Sequence, residues 1–187
     1  MADIWDEARL QRYIDDDIEE NLNLDYKDAR SLAKSDGKKR EVTKDVSAMA
    51  NSDGGLIIYG IAEFQDEPRK HLPEKFTPID RTELTKEWLE QIINNIRPRI
   101  EGVLVYSVQL SSGQNDVAYV VDIPASDTAH QAMDKKYYKR FNFGSEPMFD
   151  YEIRDVMARG KSPKIELAFE ILISLEQESA GIFYRPS

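Results

Sequence analysis

Three acidic residues lie at the ends of two segments that the sequence predicts to be strands. Glu20 and Asp25 bracket the first segment, residues 22–27, and Glu63 ends the second, residues 56–63. If the strands are neighbours in one sheet, their ends converge, and three carboxylates at one place repel each other unless a cation lies between them. Oxygen ligands of this kind suit Mg²⁺ or Mn²⁺, and a metal held there activates water for attack on a phosphate. The alternative interpretation is that these acids are ordinary solvated residues at strand ends.

The first predicted strand alternates between apolar and polar residues. Its apolar side carries Leu22, Leu24 and Tyr26, and its polar side carries Asn21, Asn23, Asp25 and Lys27. A period of two is typical of a half-buried strand, so we expect the polar side to face solvent. Asp and Asn are unfavourable in strands. Two interpretations follow: the polar side is simply hydrated, or its groups bind something.

Basic residues suited to phosphate binding fall in three groups. Lys27 lies on the same predicted strand face as Asp25, and it either contacts a phosphate or pairs with that acid. The other groups are local clusters: Lys38, Lys39 and Arg40, and then Lys136, Lys139 and Arg140. Residues 135–143 interleave bases with aromatic residues, a pattern found in platforms that stack the bases of single-stranded nucleic acid. Ordinary strands also show this pattern, because aromatic residues are common in them.

Several kinds of site are excluded by the sequence. The chain has no cysteine, which removes disulfides, thiolate chemistry and cysteine-based zinc sites. Its two histidines, His71 and His130, are too few for a three-histidine metal site. Gly54 and Gly55 follow a predicted helix, where a helix cap is favoured over a phosphate-binding loop. The one Gly-Lys-Ser triplet, residues 160–162, lacks the leading glycine of a Walker loop.

The overall composition is that of a globular protein with an uneven charge. Of the 187 residues, 41% are hydrophobic and 32% are charged, and no stretch is long and apolar enough to span a bilayer. The N-terminus lacks the basic and apolar regions of a signal peptide, so we expect a cytoplasmic protein. The net charge is −10, and residues 1–30 hold ten acids against four bases. This acidity argues mildly against a broad nucleic-acid-binding surface, although local basic clusters permit one.

Hydrophobic periodicity predicts a mixture of helices and strands. Helices are predicted at 4–20, 41–55, 82–97 and 151–160, and strands at 22–27, 56–63, 103–110, 117–124 and 135–143. Residues 31–40 and 64–80 are predicted to be polar turn and loop, and residues 111–116 a hairpin turn. This order indicates an α+β fold with a mixed, mainly antiparallel sheet packed with helices. A break near residues 161–164 separates a domain of residues 1–160 from residues 161–187, a linker and the start of a C-terminal segment or domain.

Four sequence elements, taken in order, resemble the Schlafen AlbA_2 domain family. They are Glu20; Leu24-Asp25-Tyr26-Lys27; the stretch from Ala48 to Glu63, AMANSDGGLIIYGIAE; and Tyr137-Tyr138-Lys139-Arg140. The family pattern has an acid, an aromatic residue and Lys, then Ala-aromatic-Ala-Asn and two glycines before a strand ending in an acid, then Tyr-Tyr-x-Arg. The resemblance covers about residues 10–155. This chain has Asp25, Met49 and Glu63 where the family more usually has Glu, an aromatic residue and Asp.

The resemblance implies an α+β domain and, by analogy with Schlafen nucleases, a metal-dependent site of three acids that cuts tRNA or rRNA. The acids correspond to Glu20, Asp25 and Glu63, which would hold Mg²⁺ or Mn²⁺, while Lys27 and Arg140 orient the RNA backbone. Schlafen cores place two related lobes around RNA, so a single lobe implies a homodimer.

We therefore predict a nucleic-acid-processing domain, a divalent-metal-dependent endoribonuclease acting on tRNA or another structured RNA, with RNA favoured over DNA. The predicted nucleic-acid contacts are Lys27, Lys38, Lys39, Arg40, Lys136, Lys139 and Arg140. Two alternatives stay open. One is a non-catalytic DNA- or RNA-binding module of a transcriptional regulator, which the acidic charge disfavours. The other is an ATP-binding domain, an older label for such domains, which the missing Walker loop disfavours.

Overall fold

The computed structural model describes residues 4–161. In this range the helices are α1 (Glu7–Asp15), α2 (Asp36–Asn51), α3 (Lys86–Ile93) and α4 (Asp150–Ala158). The strands are β1 (Leu24–Lys27), β2 (Gly55–Tyr59), β3 (Ile61–Glu63), β4 (Pro73–Phe76), β5 (Ile79–Asp80), β6 (Leu104–Gln109), β7 (Asp116–Ile123), β8 (Tyr138–Phe141) and β9 (Gly144–Pro147). The predicted C-terminal segment, residues 161–187, lies outside the described residues except for its first residue. No helix within residues 4–161 has both the length and the apolar character needed to cross a membrane.

A five-stranded sheet forms the centre of the fold. Its strand order is β1-β2-β7-β5, and β6 pairs with the edge of β7 opposite to β2 and β5. The first two strands are parallel and are connected through α2, whereas β2, β5 and β6 each run antiparallel to β7. Two separate hairpins, β3–β4 and β8–β9, complete the strands. The α+β fold with a mixed, mainly antiparallel sheet is therefore confirmed.

Hydrophobic clusters cover both faces of the sheet. Helices α2 and α3 pack on one face, where Val46 and Leu89 belong to the larger cluster. Helix α1 packs on the other face, where Leu10 joins Leu24 and Tyr26 of β1. Successive residues of a strand point to opposite faces. The alternate residues of β1, which include Asp25, therefore point toward the face that α2 covers.

Several predicted elements begin or end elsewhere. The first helix is shorter than residues 4–20, because Asp6 caps its start and Asp17 takes a left-handed φ of 48° just beyond its end. Helix α2 begins earlier than predicted, with Ser35 as its N-cap. The basic cluster of Lys38, Lys39 and Arg40 consequently lies in the first turns of α2 and not in a polar turn.

The strand predicted at residues 56–63 is divided into two at Gly60. This residue has a φ of 103°, a conformation that favours glycine. Beyond it, β3 leaves the central sheet and pairs with β4, which lies in the region predicted to be a loop. The strand predicted at 135–143 is similarly only the first half of the β8–β9 hairpin.

The Ala-Asn motif at the end of α2 has a structural role. The side-chain Nδ2 of Asn51 donates hydrogen bonds to the carbonyls of His130 (2.9 Å) and Tyr138 (2.8 Å), and its Oδ1 accepts one from the His130 amide (2.7 Å). The hydroxyl of Ser52 accepts from the Arg140 amide at 2.9 Å. These bonds hold β8 beside α2, which places the Arg140 side chain against β1.

Candidate functional site

Glu20 lies along the free edge of β1, because the chain turns back on itself between Asn21 and Leu24. The Asn21 amide donates to the Leu24 carbonyl at 3.1 Å, which closes this turn. The Tyr26 amide, which has no neighbouring strand on this edge, donates to Glu20 Oε1 at 2.7 Å. Only 4% of Glu20 is exposed to solvent. The carboxylate is thus fixed by backbone contacts and is shielded from bulk water.

Glu63 and His71 meet Glu20 through the β3–β4 hairpin. Glu63 ends β3 and His71 precedes β4, and the Phe64 amide donates to the Leu72 carbonyl across the hairpin at 3.0 Å. As a result, His71 Nδ1 lies 3.3 Å from Glu20 Oε2 and 3.5 Å from Glu63 Oε1. We call these three residues the acid–histidine cluster.

The acid–histidine cluster has a geometry that fits a divalent cation. One ligand atom from each residue lies within 4.8 Å of the other two. In octahedral coordination with bonds of about 2.1 Å, adjacent ligands are about 3 Å apart and opposite ligands about 4 Å apart, so little movement is needed. Glu63 Oε1 is buried and makes no hydrogen bond among the described residues, despite its 3.5 Å approach to His71. Carboxylates suit Mg²⁺ and Mn²⁺, and an imidazole nitrogen favours a transition metal, so Mn²⁺ is the better match.

Asp25 is in the interior and not on a solvated strand face. Its side chain is 0% exposed, and it forms ion pairs with Lys27 (Oδ1 to Nζ, 2.5 Å) and Arg140 (Oδ2 to Nη1, 3.3 Å). The expectation that the polar side of β1 faces solvent is therefore wrong for this residue, because α2 and β8 cover that side. Asp25 is near enough to Glu20 for each carboxyl group to influence the pKa of the other, but it is not a member of the acid–histidine cluster.

Arg140 is also buried, with its side chain only 1% exposed. Besides Asp25, its guanidinium donates to the Asn21 carbonyl at 3.2 Å, which ties β8 to the turn that carries Glu20. In this position Arg140 does not reach the surface where a phosphate would lie. It acts on the site by holding Asp25 and the Glu20 turn in place.

Burial controls the ionisation of the carboxyl groups. Desolvation is the main cause that raises the pKa of Glu20 and of Glu63 above their ordinary values. Desolvation, together with the neighbouring Glu20, raises the pKa of Asp25 to about 6 even though Lys27 opposes the shift. Burial acts to lower the pKa of Lys27, but Asp25 and Asp45 raise it overall. Removing several carboxylates from water at one place is costly, and a bound cation would offset that cost.

A cleft with cationic side chains opens beside the acid–histidine cluster. It has a volume of about 530 Å³ and lies between β1, β3 and β4. Its charged lining consists of Lys27, Arg30 and Lys75 and of the acids Asp28, Glu63 and Glu74. Arg30 and Lys75 are themselves exposed and pair with the part-buried acids Asp28 and Glu74. Because ion pairs of such exposed cations are weak, both side chains are available to phosphate oxygens. No sequence pattern distinguishes these two residues, because their position relative to Glu63 depends on the sheet and hairpin pairings.

Comparison with known families decides what kind of domain this is. A family model described as Schlafen, AlbA_2 matches residues 20–149. The chain belongs to the Schlafen AlbA_2 family. Membership of this family supports a nucleic-acid-related role for the domain.

Solved structures similar to this Schlafen AlbA_2 domain have low sequence identity. The crystal structure of the DIP2311 protein from Corynebacterium diphtheriae has a TM-score of 0.52 and 15% identity, over 84% of this chain and 32% of that one. This chain thus spans about a third of DIP2311, and the likeness shows a shared fold. A solution structure of the N-terminal domain of a RecG-related protein from Nitrosomonas europaea has a TM-score of 0.46 and 16% identity, over 66% of this chain and 75% of that one. Comparison with curated protein sequences finds no match.

The other basic residues of the Schlafen AlbA_2 domain that are predicted to contact nucleic acid do not line the cleft beside the acid–histidine cluster. Lys38 lines a cavity of about 200 Å³ with Lys27, and Lys39 pairs with Asp36 at 3.3 Å. Arg40 and Lys136 are exposed, on α2 and before β8 respectively. Lys139 pairs with Glu152 and lines a separate pocket of about 380 Å³ that also contains Arg159. The roles of these residues in nucleic-acid binding stay predictions.

The raised pKa of Asp25 leads to a testable pH dependence. In the metal-free protein we expect the Asp25 carboxyl to titrate at about 6, which carbon-13 NMR of the labelled side chain would measure. Because this pKa is above the unfolded value of 3.8, the folded state holds the proton more tightly. The resulting contribution to stability is present below about pH 4 and is lost as the pH rises to about 6. Asp80, whose pKa is lowered chiefly by hydrogen bonds from Thr82, serves as the control. If the Asp25 carboxyl titrated at the same pH as Asp80, this would contradict the burial of Asp25.

Proposed function

We propose that this Schlafen AlbA_2 domain is a divalent-metal-dependent endoribonuclease that acts on tRNA or another structured RNA. The observation that supports it is the convergence of Glu20, Glu63 and His71 beside a cleft whose lining includes three cationic side chains. Two carboxylates and an imidazole at one point suit a cation, and the adjacent cations suit a phosphate backbone. This combination favours cleavage of an RNA phosphodiester over nucleic-acid binding alone, because binding does not require carboxylates to converge.

Each group has a distinct role in the proposed reaction. Glu20, Glu63 and His71 would hold the ion, and when bound a divalent cation supplies activation of water and stabilisation of charge on the phosphate. Lys27, whose side chain is 25% exposed, faces the cleft and orients the phosphate. Arg30 and Lys75 bind flanking phosphates. Asp25 positions Lys27 by ion pairing, which differs from the ligand role predicted for it from the sequence.

The preference for RNA, the homodimer and the cytoplasmic location are further parts of the proposal. RNA over DNA and a two-lobed arrangement rest on the resemblance to Schlafen cores, in which paired lobes surround RNA. The net charge of −10 limits how much of the surface one lobe offers to phosphates, which supports a second copy contributing part of the binding surface. The absence of cysteine fits a reducing compartment.

Incubation of the purified protein with total tRNA tests the proposal. We expect discrete fragments with Mn²⁺, fewer with Mg²⁺, and none with EDTA, when products are separated on a denaturing gel. The same samples would be checked for tRNA binding by a mobility shift at low salt. A folded protein that binds tRNA but yields no fragments with either ion would contradict catalysis and support the non-catalytic binding module.

A further inference from the structure

Phe143 lies at the tip of the β8–β9 hairpin and covers the acid–histidine cluster from one side. Its ring stacks on the His71 ring, with centroids 3.9 Å apart and an interplanar angle of 10°. The hairpin turn places it there through Asn142, which has a left-handed φ of 50°. Even so, 40% of Phe143 is exposed to solvent. One face of the ring is therefore occupied by His71, and the remainder is open.

We propose that the open face of Phe143 stacks one unpaired base of the RNA next to the phosphate at the acid–histidine cluster. The substrate would then be RNA with an unpaired nucleotide at the cut position, such as a loop or bulge, and not a continuous duplex. This inference rests on the proposed function and adds the class of substrate. It also assigns Phe143 as a specificity-determining residue.

The arrangement of rings and carboxylates supports this assignment. His71 points Nδ1 at Glu20 and Glu63, within 3.5 Å of each, while its ring face lies against Phe143. Phe143 thus lies on one face of the imidazole, while the carboxylate oxygens lie at the ring edge that carries Nδ1. In a nucleotide, the base is separated from its phosphate by one sugar. A nucleotide with its phosphate at the cluster can therefore place its base on Phe143.

The pairing state of the base follows from the stacking. A base inside a continuous helix has neighbours on both faces and offers no free face to a protein ring, whereas an unpaired base can be turned out onto an aromatic side chain. Stacking of this kind tolerates any base, because every base has a π-face. Tyr138, an aromatic residue of the same hairpin, is only 7% exposed. Phe141 of the same hairpin is 51% exposed, but within residues 4–161 Phe143 is the aromatic residue that stacks on His71, so its ring is the one beside the cluster.

Binding measurements in EDTA, where no cleavage occurs, test the inference. Fluorescence anisotropy would compare a labelled RNA stem-loop with a fully paired duplex of equal length. We expect Phe143→Ala to weaken stem-loop binding about 5- to 150-fold and to leave duplex binding unchanged. Phe149→Ala is the control, because Phe149 is 68% exposed and also stacked, but on Tyr151 at 6.1 Å. Unchanged stem-loop affinity for Phe143→Ala would overturn the inference. This holds even if the variant binds Mn²⁺ more weakly, because Phe143 would then only support His71.

A Phe143→Trp variant gives an independent readout if the alanine variant does not fold. We expect stem-loop RNA to quench the fluorescence of the introduced indole beyond any change seen for the wild type, whose tryptophans are Trp5 and Trp88. Duplex RNA should not produce this quenching. No added quenching at saturating stem-loop would contradict stacking at Phe143. A wild-type protein that neither binds nor cuts stem-loop RNA when Mn²⁺ is present would contradict the proposed function itself, whereas a wild type that cuts RNA with Phe143 variants unaffected would contradict this inference alone.

Discussion

Replacing Arg140 with methionine is expected to lower the free energy of unfolding by about 3 kcal/mol. The guanidinium is one of two cations that balance the fully buried carboxylate of Asp25, and it also satisfies the Asn21 carbonyl. Loss of one partner of a buried ion pair is costly, because the remaining charge is left without compensation. Urea denaturation followed by circular dichroism would measure the change.

Lys139→Met is the matched control for Arg140→Met. Lys139 is the preceding residue of β8, and it pairs with Glu152 near the surface, where solvent screens the interaction. We expect its substitution to move the urea midpoint very little. Equal decreases in the urea midpoint for the two variants would show that Arg140 does not stabilise Asp25 and the turn beside Glu20.

The buried ion pairs of Asp25 limit which substitutions can test catalysis. Asp25→Ala leaves the buried Arg140 and the part-buried Lys27 without their acid, so a loss of activity would report a damaged fold. Glu63 is a better position, because its side chain is 22% exposed and its Oε1 supports no hydrogen bond among residues 4–161.

Glu63→Gln is expected to reduce metal-dependent RNA cleavage by at least about 100-fold. The amide keeps the size of the side chain but removes the negative charge that the cation needs, and even the loss of groups that only support a ligand costs about 10- to 100-fold. Single-turnover cleavage of tRNA with Mn²⁺, at equal protein concentration, would measure the rate. Thermal denaturation should show that the variant stays folded.

Glu90→Gln is the control for Glu63→Gln, since Glu90 lies on α3 and pairs with Lys86 at the surface. We expect its cleavage rate to match the wild type. If Glu63→Gln cut RNA at the wild-type rate, the acid–histidine cluster would not be the catalytic site, and a different set of residues would have to hold the ion.

Sequence patterns predict the strands around the site well, but they do not predict the contact between Glu20 and Glu63. Glu20 meets Glu63 because the turn between Asn21 and Leu24 folds back along β1 and because β3 leaves the central sheet after Gly60. The apolar run after two glycines predicts a buried strand, and β2 pairs with β1. The β6–β7 hairpin is predicted for the same reason, since two alternating segments flank a short polar turn. These elements depend on local sequence, and they fix the position of the site in the fold.

The environment of Asp25 could not be predicted from the sequence of β1. A period of two shows that polar and apolar residues lie on opposite faces, but it does not show what covers the polar face. That cover is Arg140, which lies 115 residues away and is brought there by hydrogen bonds of Asn51 and Ser52. The polar residues that suggested a hydrated face instead form an internal ion-pair network.

His71 was missed because nothing in its local sequence distinguishes it. It lies in a polar region predicted to be loop, and its left-handed φ of 72° and its contact with Glu63 arise from the pairing of β3 with β4. Phe143 is a similar case, since its contact with His71 depends on the turn between β8 and β9. Both positions are set by hairpin register, which a single sequence does not define.

Anomalous diffraction from Mn²⁺-soaked crystals would test the claim that Glu20, Glu63 and His71 together hold a divalent cation. Data would be collected at two wavelengths, on either side of the manganese absorption edge, from the wild type and from Glu63→Gln. We expect an anomalous peak about 2.0–2.4 Å from Glu20 Oε2, Glu63 Oε1 and His71 Nδ1, and its loss in the variant. A wild-type peak elsewhere, or no peak in crystals of a protein that cuts RNA with Mn²⁺, would contradict the claim.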